Sequence, residues 1–170
     1  MDISQGFAPV ARPDAKILVL GSMPGVASLA ATRYYAFPRN AFWKIMGDLF
    51  GANPQLEYQT RLQILQDNYI ALWDVIEACH RPGSLDTAIS QDGLATNDFV
   101  AFFDKHPDIS HVYFNGQKAA SLFKKQVLPG LDTQHQYKVL PSTSPANAAM
   151  NYAAKLESWS VLKKDLYHLR

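Results

Sequence analysis

The chain is poor in the features that mark several large functional classes. It holds one cysteine, Cys79, in 170 residues. An intramolecular disulfide and a four-cysteine metal or cluster site are therefore excluded. No apolar run approaches the roughly 18 residues of a membrane span, and the N-terminus lacks the charged-then-apolar pattern of a signal. A cytoplasmic location is expected, or a nuclear one in an organism with a nucleus. The histidines, His80, His106, His111, His135 and His168, have no metal-type spacing and no acidic residues gathered around them. No metal and no cofactor are expected. Net charge is also scarce, because 16 Lys and Arg against 15 Asp and Glu leave only +1. Dedicated nucleic-acid binders are usually far more basic, so any such surface here has to be local, supplied by a few cations, helix N-termini and backbone amides. No repeat, low-complexity tract or linker interrupts the chain.

What is present reads as one globular domain, residues 1–170. Hydrophobic residues make up 48% and charged residues 18%, enough for a sizeable single core. Residues 1 to 15, with Gly6, Pro9 and Pro13, read as an irregular lead-in. Lys16 to Leu20 is a short apolar run closed by Gly21, the pattern of a strand buried on both faces. Tyr69 to Val75, Val112 to Phe114 and Tyr137 to Leu140 read as further strands. Helices are expected over Asn40 to Phe50, Glu57 to Asn68, Asn97 to His106 and from Lys118 onward. A last helix is expected from about Ala146–Ala149 to His168, presenting Leu156, Trp159, Leu162 and Leu166 to the core. Strands alternating with helices predict an α/β fold: a three-layer α/β/α domain on a four-stranded parallel sheet. In such sheets ligands bind beyond the C-terminal ends of the strands.

Two stretches sit at such ends. The first is Gly21 to Gly47, in which a glycine turn (Gly21, Pro24, Gly25) is followed by Tyr34, Tyr35 and Phe37. Pro38, Asn40, Phe42 and Trp43 then open a helix. The second is Leu140-Pro141-Ser142-Thr143-Ser144-Pro145-Ala146-Asn147. Together, in this order and about a hundred residues apart, they resemble the two motifs of the uracil-DNA glycosylase superfamily, most closely its hypoxanthine branch. That resemblance implies the same three-layer fold and an enzyme that excises a damaged base from double- or single-stranded DNA. It implies no membrane and no obligate protein partner. Some branches carry an iron–sulfur cluster on four cysteines, which this chain does not have.

The resemblance also assigns roles. Tyr35 falls, by gap-free spacing, where the family stacks the flipped base; a partly buried core tyrosine would look the same. Asn40 corresponds to the hypoxanthine branch's catalytic asparagine, although Asn is equally at home as a helix cap. The mismatch-specific branch orients water with an Asn at the position that is Met23 here, and the uracil-specific branch places a histidine near Ser142. Neither replacement keeps the original chemistry, which turns the expectation toward inosine. Backbone amides of the Ser22–Pro24 turn and the carboxylate of Asp74 would then read O6 and N1–H of hypoxanthine. Asp74, ending a buried strand, is balanced between facing this cleft and serving as a turn residue. Ser144, Pro145, Ala146 and Asn147 would form the DNA-inserting loop, and Lys118, in the first turn of its helix, could reach a phosphate. Trp43 and the Phe99, Phe102 and Phe103 stripe read as core. The alternatives are a mismatch-specific uracil or thymine glycosylase, a non-catalytic DNA-damage-binding module on the same fold, and a small-molecule nucleosidase.

Overall fold

The computed structural model describes residues 3–80, 95–132 and 134–169. The stretch Arg81 to Asp86, which reads as a loop in the sequence and which the superfamily resemblance makes cleft-lining, lies outside them. Strands β1 (Ile3–Gln5), β2 (Ile17–Gly21), β3 (Ile70–Asp74), β4 (Ile76–His80), β5 (Ala95–Thr96), β6 (His111–Asn115) and β7 (Gln136–Leu140) form two sheets. The larger is four-stranded and parallel, in the order β3-β2-β6-β7, as the sequence predicts. The smaller, β1-β4-β5, is antiparallel and was not legible in the sequence.

Alternation along the central strands sends side chains to two cores. Leu18, Leu20, Ala71, Trp73, Val112 and Phe114 pack on one face. There α4 (Phe99–Lys105) and α5 (Gln117–Gln126) cover them with Phe99, Phe102, Phe103, Ala119, Leu122 and Phe123. Ile17, Val19, Ile70, Leu72 and Tyr113 pack on the other face. It is covered by α2 (Phe42–Phe50), α3 (Tyr58–Asp67), α6 (Tyr152–Trp159) and α7 (Val161–His168). The three-layer architecture follows from this split. A further short helix, α1 (Val26–Ala31), lies inside the first motif, where the sequence suggested only loop.

Two other expectations change. The chain leaves the parallel sheet at Val75, whose N–H donates to Gly21 O, and Ile76 N donates to Ser22 O as β4 starts in the second sheet. Asp74 therefore sits at a corner. The C-terminal helix is two helices that meet at Ser160 and start only at Tyr152, with the Asn151 side chain capping Ala154 N. Residues 146–150 form turns and a bend instead, because the second motif's loop uses Ser and Asn side chains to close its own backbone.

Candidate active site

Parallel pairing aligns the ends of β2 and β3 so that Gly21 is opposite Asp74. Asp74 is only 3% exposed. A methyl group on Gly21 would lie 2.6 Å from Asp74 Oδ1 and 3.1 Å from the Tyr35 hydroxyl. The absent side chain at Gly21 thus creates the space into which a carboxylate and a phenol converge. Asn97 Nδ2 donates to the Asp74 carbonyl at 2.7 Å, which fixes the corner from the other side.

Tyr35 adopts φ 55°, in the left-handed region that costs a non-glycine residue about 1–3 kcal/mol. The surrounding residues hold it there. Tyr34 N donates to the Tyr58 hydroxyl at 2.9 Å, Trp43 Nε1 donates to Tyr34 O at 2.8 Å, and Ala36 N donates to Ser28 Oγ at 3.0 Å. Trp43 is core, as expected, and its indole also pins the strained loop. One face of the Tyr35 ring stacks on Phe42 at 4.0 Å between centroids, with 22° between planes. Phe42 is itself fully buried and meets Trp159 edge-on. Beneath this loop, burial raises the Tyr34 phenol far above its ordinary value and the negative charge of Asp74 adds to the effect, so Tyr34 stays a neutral donor to Ala8 O.

Asn40 stands one residue outside α2, whose N-cap position is Ala41. The side chain is not a cap of the usual kind. Its Oδ1 accepts from Phe42 N at 2.9 Å, an Asx turn that fixes the rotamer, and the Asn40 backbone N–H donates to Phe37 O. Oδ1 retains a second lone pair, and Nδ2 makes no hydrogen bond among the described residues. The next residue, Ala41, donates its N–H to Thr143 O at 2.9 Å and so joins the two motifs.

The second motif is held from behind. Asn115, ending β6, donates through Nδ2 to Thr143 Oγ1 and accepts from Thr143 N through Oδ1, both at 2.9 Å. Gly116 follows with φ 96°, and a methyl group there would lie 3.2 Å from Ser142 Cβ. A side chain there would be strained by the conformation and crowded against Ser142. Trp159 Nε1 donates to Pro141 O, and Lys155 Nζ reaches Ser144 O at 3.4 Å. Within the loop, Ser142 Oγ accepts from Ser144 N, Ser144 Oγ accepts from Ala146 N, and Asn147 Nδ2 donates to Ser142 O. Ala146 is the exposed tip, flanked by the partly exposed Pro145 and Asn147.

The structure therefore brings Gly21, Asp74, Tyr35 and Asn40 to one end of the sheet and ties them to the Ser142–Asn147 loop. Ser22 is buried at the turn. The Met23 side chain is 6% exposed and packs in the core, so only its backbone can face a ligand. Lys118 lies on the first turn of α5 and is partly buried. Sequence reasoning missed Asn115, Thr143 and Lys155. Asn115 had a readable signal, since like Asp74 it is a polar residue ending a buried strand. Among the described residues no three His, Cys, Asp or Glu side chains gather as a metal site, and no helix is long and apolar enough to cross a membrane. Chemically, the arrangement offers an aromatic face, a buried carboxylate and an oriented amide around an empty glycine position.

Comparison with known proteins agrees with this geometry. The family model of the uracil DNA glycosylase superfamily matches residues 8–163. A hypoxanthine DNA glycosylase of Methanosarcina barkeri is 39% identical over 84% of this chain and 87% of its own length. A protein of the same description from Methanosarcina acetivorans is 38% identical over 85% and 89%. A solution NMR structure from M. acetivorans, described provisionally as a uracil DNA glycosylase, is 34% identical and superposes with a TM-score of 0.82, covering 98% of this chain and all of that one.

Proposed function

The chain belongs to the uracil DNA glycosylase superfamily, and we propose that it is a monofunctional DNA glycosylase that excises hypoxanthine from deoxyinosine-containing DNA. The observation that carries the substrate is the 38–39% identity, over most of the chain, to two proteins described as hypoxanthine DNA glycosylases. The site's chemistry supports it.

A stacked base must be extruded before its glycosidic bond can be cut, and the tip Pro145-Ala146-Asn147 would hold the duplex open. The flipped base stacks on the face of Tyr35 that Phe42 does not cover. Asp74 accepts from N1–H of hypoxanthine, and the amides of the Ser22–Pro24 turn approach O6. Bond breaking passes through an oxocarbenium-like sugar. Asn40 cannot act as a general base, because an amide is not basic near neutrality. It orients water instead: the free lone pair of Oδ1 accepts a water O–H and aims the water oxygen at the sugar carbon. The pre-formed Asx turn means that little order is lost at that step. The negative charge of Asp74, close to the pocket, favours the cationic sugar.

A second reading, uracil excision, draws on the description of the M. acetivorans structure. Ser142 argues against efficient uracil release, since a hydroxyl donates a hydrogen bond but carries no positive charge to stabilise a departing uracil anion. The test is a single-turnover assay on duplexes carrying inosine, uracil, xanthine or a G·T mismatch. The expected product from inosine is an abasic strand that breaks only after alkali. Strand cleavage without alkali would contradict the monofunctional mechanism.

A further inference from the structure

A second cavity opens beside the pinned 32–36 loop. It has a volume of about 520 Å³ and is lined by Thr32, Arg33, Glu57, Tyr58, Gln59 and Arg61, among others. Two cations share one aromatic ring there. The Arg33 guanidinium lies 5.5 Å and that of Arg61 5.4 Å from the Tyr58 ring centroid, and Arg61 also sits 4.6 Å from that of Trp43. Neither guanidinium is ion-paired with a carboxylate among the described residues. Glu57 lines the cavity but lies beyond pairing distance of both. Arg61 Nε donates to Leu56 O, which fixes the fork. Burial, and secondarily the charge of Arg33, hold the Arg61 guanidinium below its ordinary value, so the pair is mutually repulsive as it stands.

Like charges gathered on one ring are a cost that a bound anion would remove, and two guanidinium forks match the oxygens of a phosphate. The first turn of α3 lines the same cavity, and its dipole has the same sign. Position supplies the second half of the argument. Arg33 is two residues before Tyr35, so their α-carbons are within about 7 Å. The Tyr58 hydroxyl accepts from Tyr34 N, so the cavity and the base site share a wall. Adjacent phosphates on a DNA strand are spaced on that scale.

We propose that Arg33 and Arg61 form a phosphate subsite that grips the backbone of the target strand next to the flipped nucleotide. This rests on the reading of the protein as a DNA glycosylase. It explains how a chain of net charge +1 holds DNA: the cations are few but placed where the strand passes.

The test compares wild type with Arg33→Gln, Arg61→Met and the double variant. Arg33 is exposed, and Arg61→Met leaves an apolar side chain of similar length beside Trp43 and Tyr58, so both should fold; melting temperatures check this. Binding of an inosine duplex is measured against salt concentration. One phosphate contact is worth about 0.9 in the slope of log affinity against log salt. The double variant should lose about that much slope and at least tenfold in affinity at low salt, with the loss in Kd exceeding any loss in the saturating excision rate. Unchanged slope and affinity in Arg33→Gln and the double variant would overturn the subsite. A wild type that neither binds nor excises would instead overturn the glycosylase reading beneath it. Inorganic phosphate at constant ionic strength separates the sources. If it shifts the NMR signals of the Arg33 and Arg61 side chains while the substitutions leave duplex binding intact, the cavity takes free phosphate and the backbone assignment is wrong.

Discussion

In the proposed mechanism three residues carry the chemistry, and each fails in its own way. Asn40→Ala should lower single-turnover excision by about ten- to a thousandfold, the scale of losing one oriented polar group. It should also cost about 1 kcal/mol of stability by freeing Phe42 N. Asn40→Asp keeps the acceptor of the Asx turn, so its melting temperature should stay near wild type. If Asn40 serves only the turn, the Asp variant recovers fully and the Ala variant keeps its rate. Tyr35→Phe should preserve excision because the stack on Phe42 and the exposed ring face survive, whereas Tyr35→Ala should weaken capture of the base by roughly 1–3 kcal/mol. An Ala variant with normal kinetics would remove Tyr35 from the pocket. Asp74→Asn should cost inosine excision more than stability, near the roughly 1.5–3 kcal/mol of a charge-assisted bond. That Tyr35 and Asn40 lie near the end of the central strand could be read from the sequence, but their conformations could not. The positive φ of Tyr35 depends on Ser28, Trp43 and Tyr58, which reach the loop from three different helices.

At the scale of elements, the strands and longer helices that bury a full face could be read, because apolar periodicity is strong where burial is complete. The short pieces could not. Ile3–Gln5 and Ala95–Thr96 are strands only because β4 pairs with both, and six-residue α1 is too short for a pattern. The C-terminal stripe Leu156, Trp159, Leu162 and Leu166 continues across the break at Ser160, so periodicity alone hides it. The second motif is held as an element by Asn115. Asn115→Ala should leave Thr143 N and Oγ1 buried without partners, costing about 1–3 kcal/mol. Excision should fall although Asn115 is not proposed to touch substrate. An Asn115→Ala variant that lost stability but excised normally would show that loop position is irrelevant to the rate. On the face of the sheet covered by α7, Asp165 accepts from Lys138 and from Tyr113. Burial alone would raise its carboxyl, yet those two hydrogen bonds hold it below its ordinary value. Its stabilising effect is therefore present above the usual carboxylate range and is lost as pH falls through the depressed value. Asp165→Asn should be less stable than wild type at pH 7 and lose less between about pH 4 and 2 in acid unfolding.

At the scale of the whole molecule, the parallel sheet sends two layers of helices to its faces and leaves one end for chemistry. Gly21, Asp74 and Asn115 lie there because register places them there. Two sequence motifs a hundred residues apart meet because Ala41 N donates to Thr143 O. The near-neutral charge constrains how such a molecule can hold DNA, and it favours a small number of placed contacts over a broad basic face. On the proposed reading, this end of the sheet is shaped for hypoxanthine. That reading is tested most directly by the ratio of single-turnover excision rates on inosine and uracil, measured with the unmodified enzyme on otherwise identical duplexes. A ratio of about ten or more in favour of inosine is the expected result. Faster release of uracil, or no release from either duplex, would contradict it.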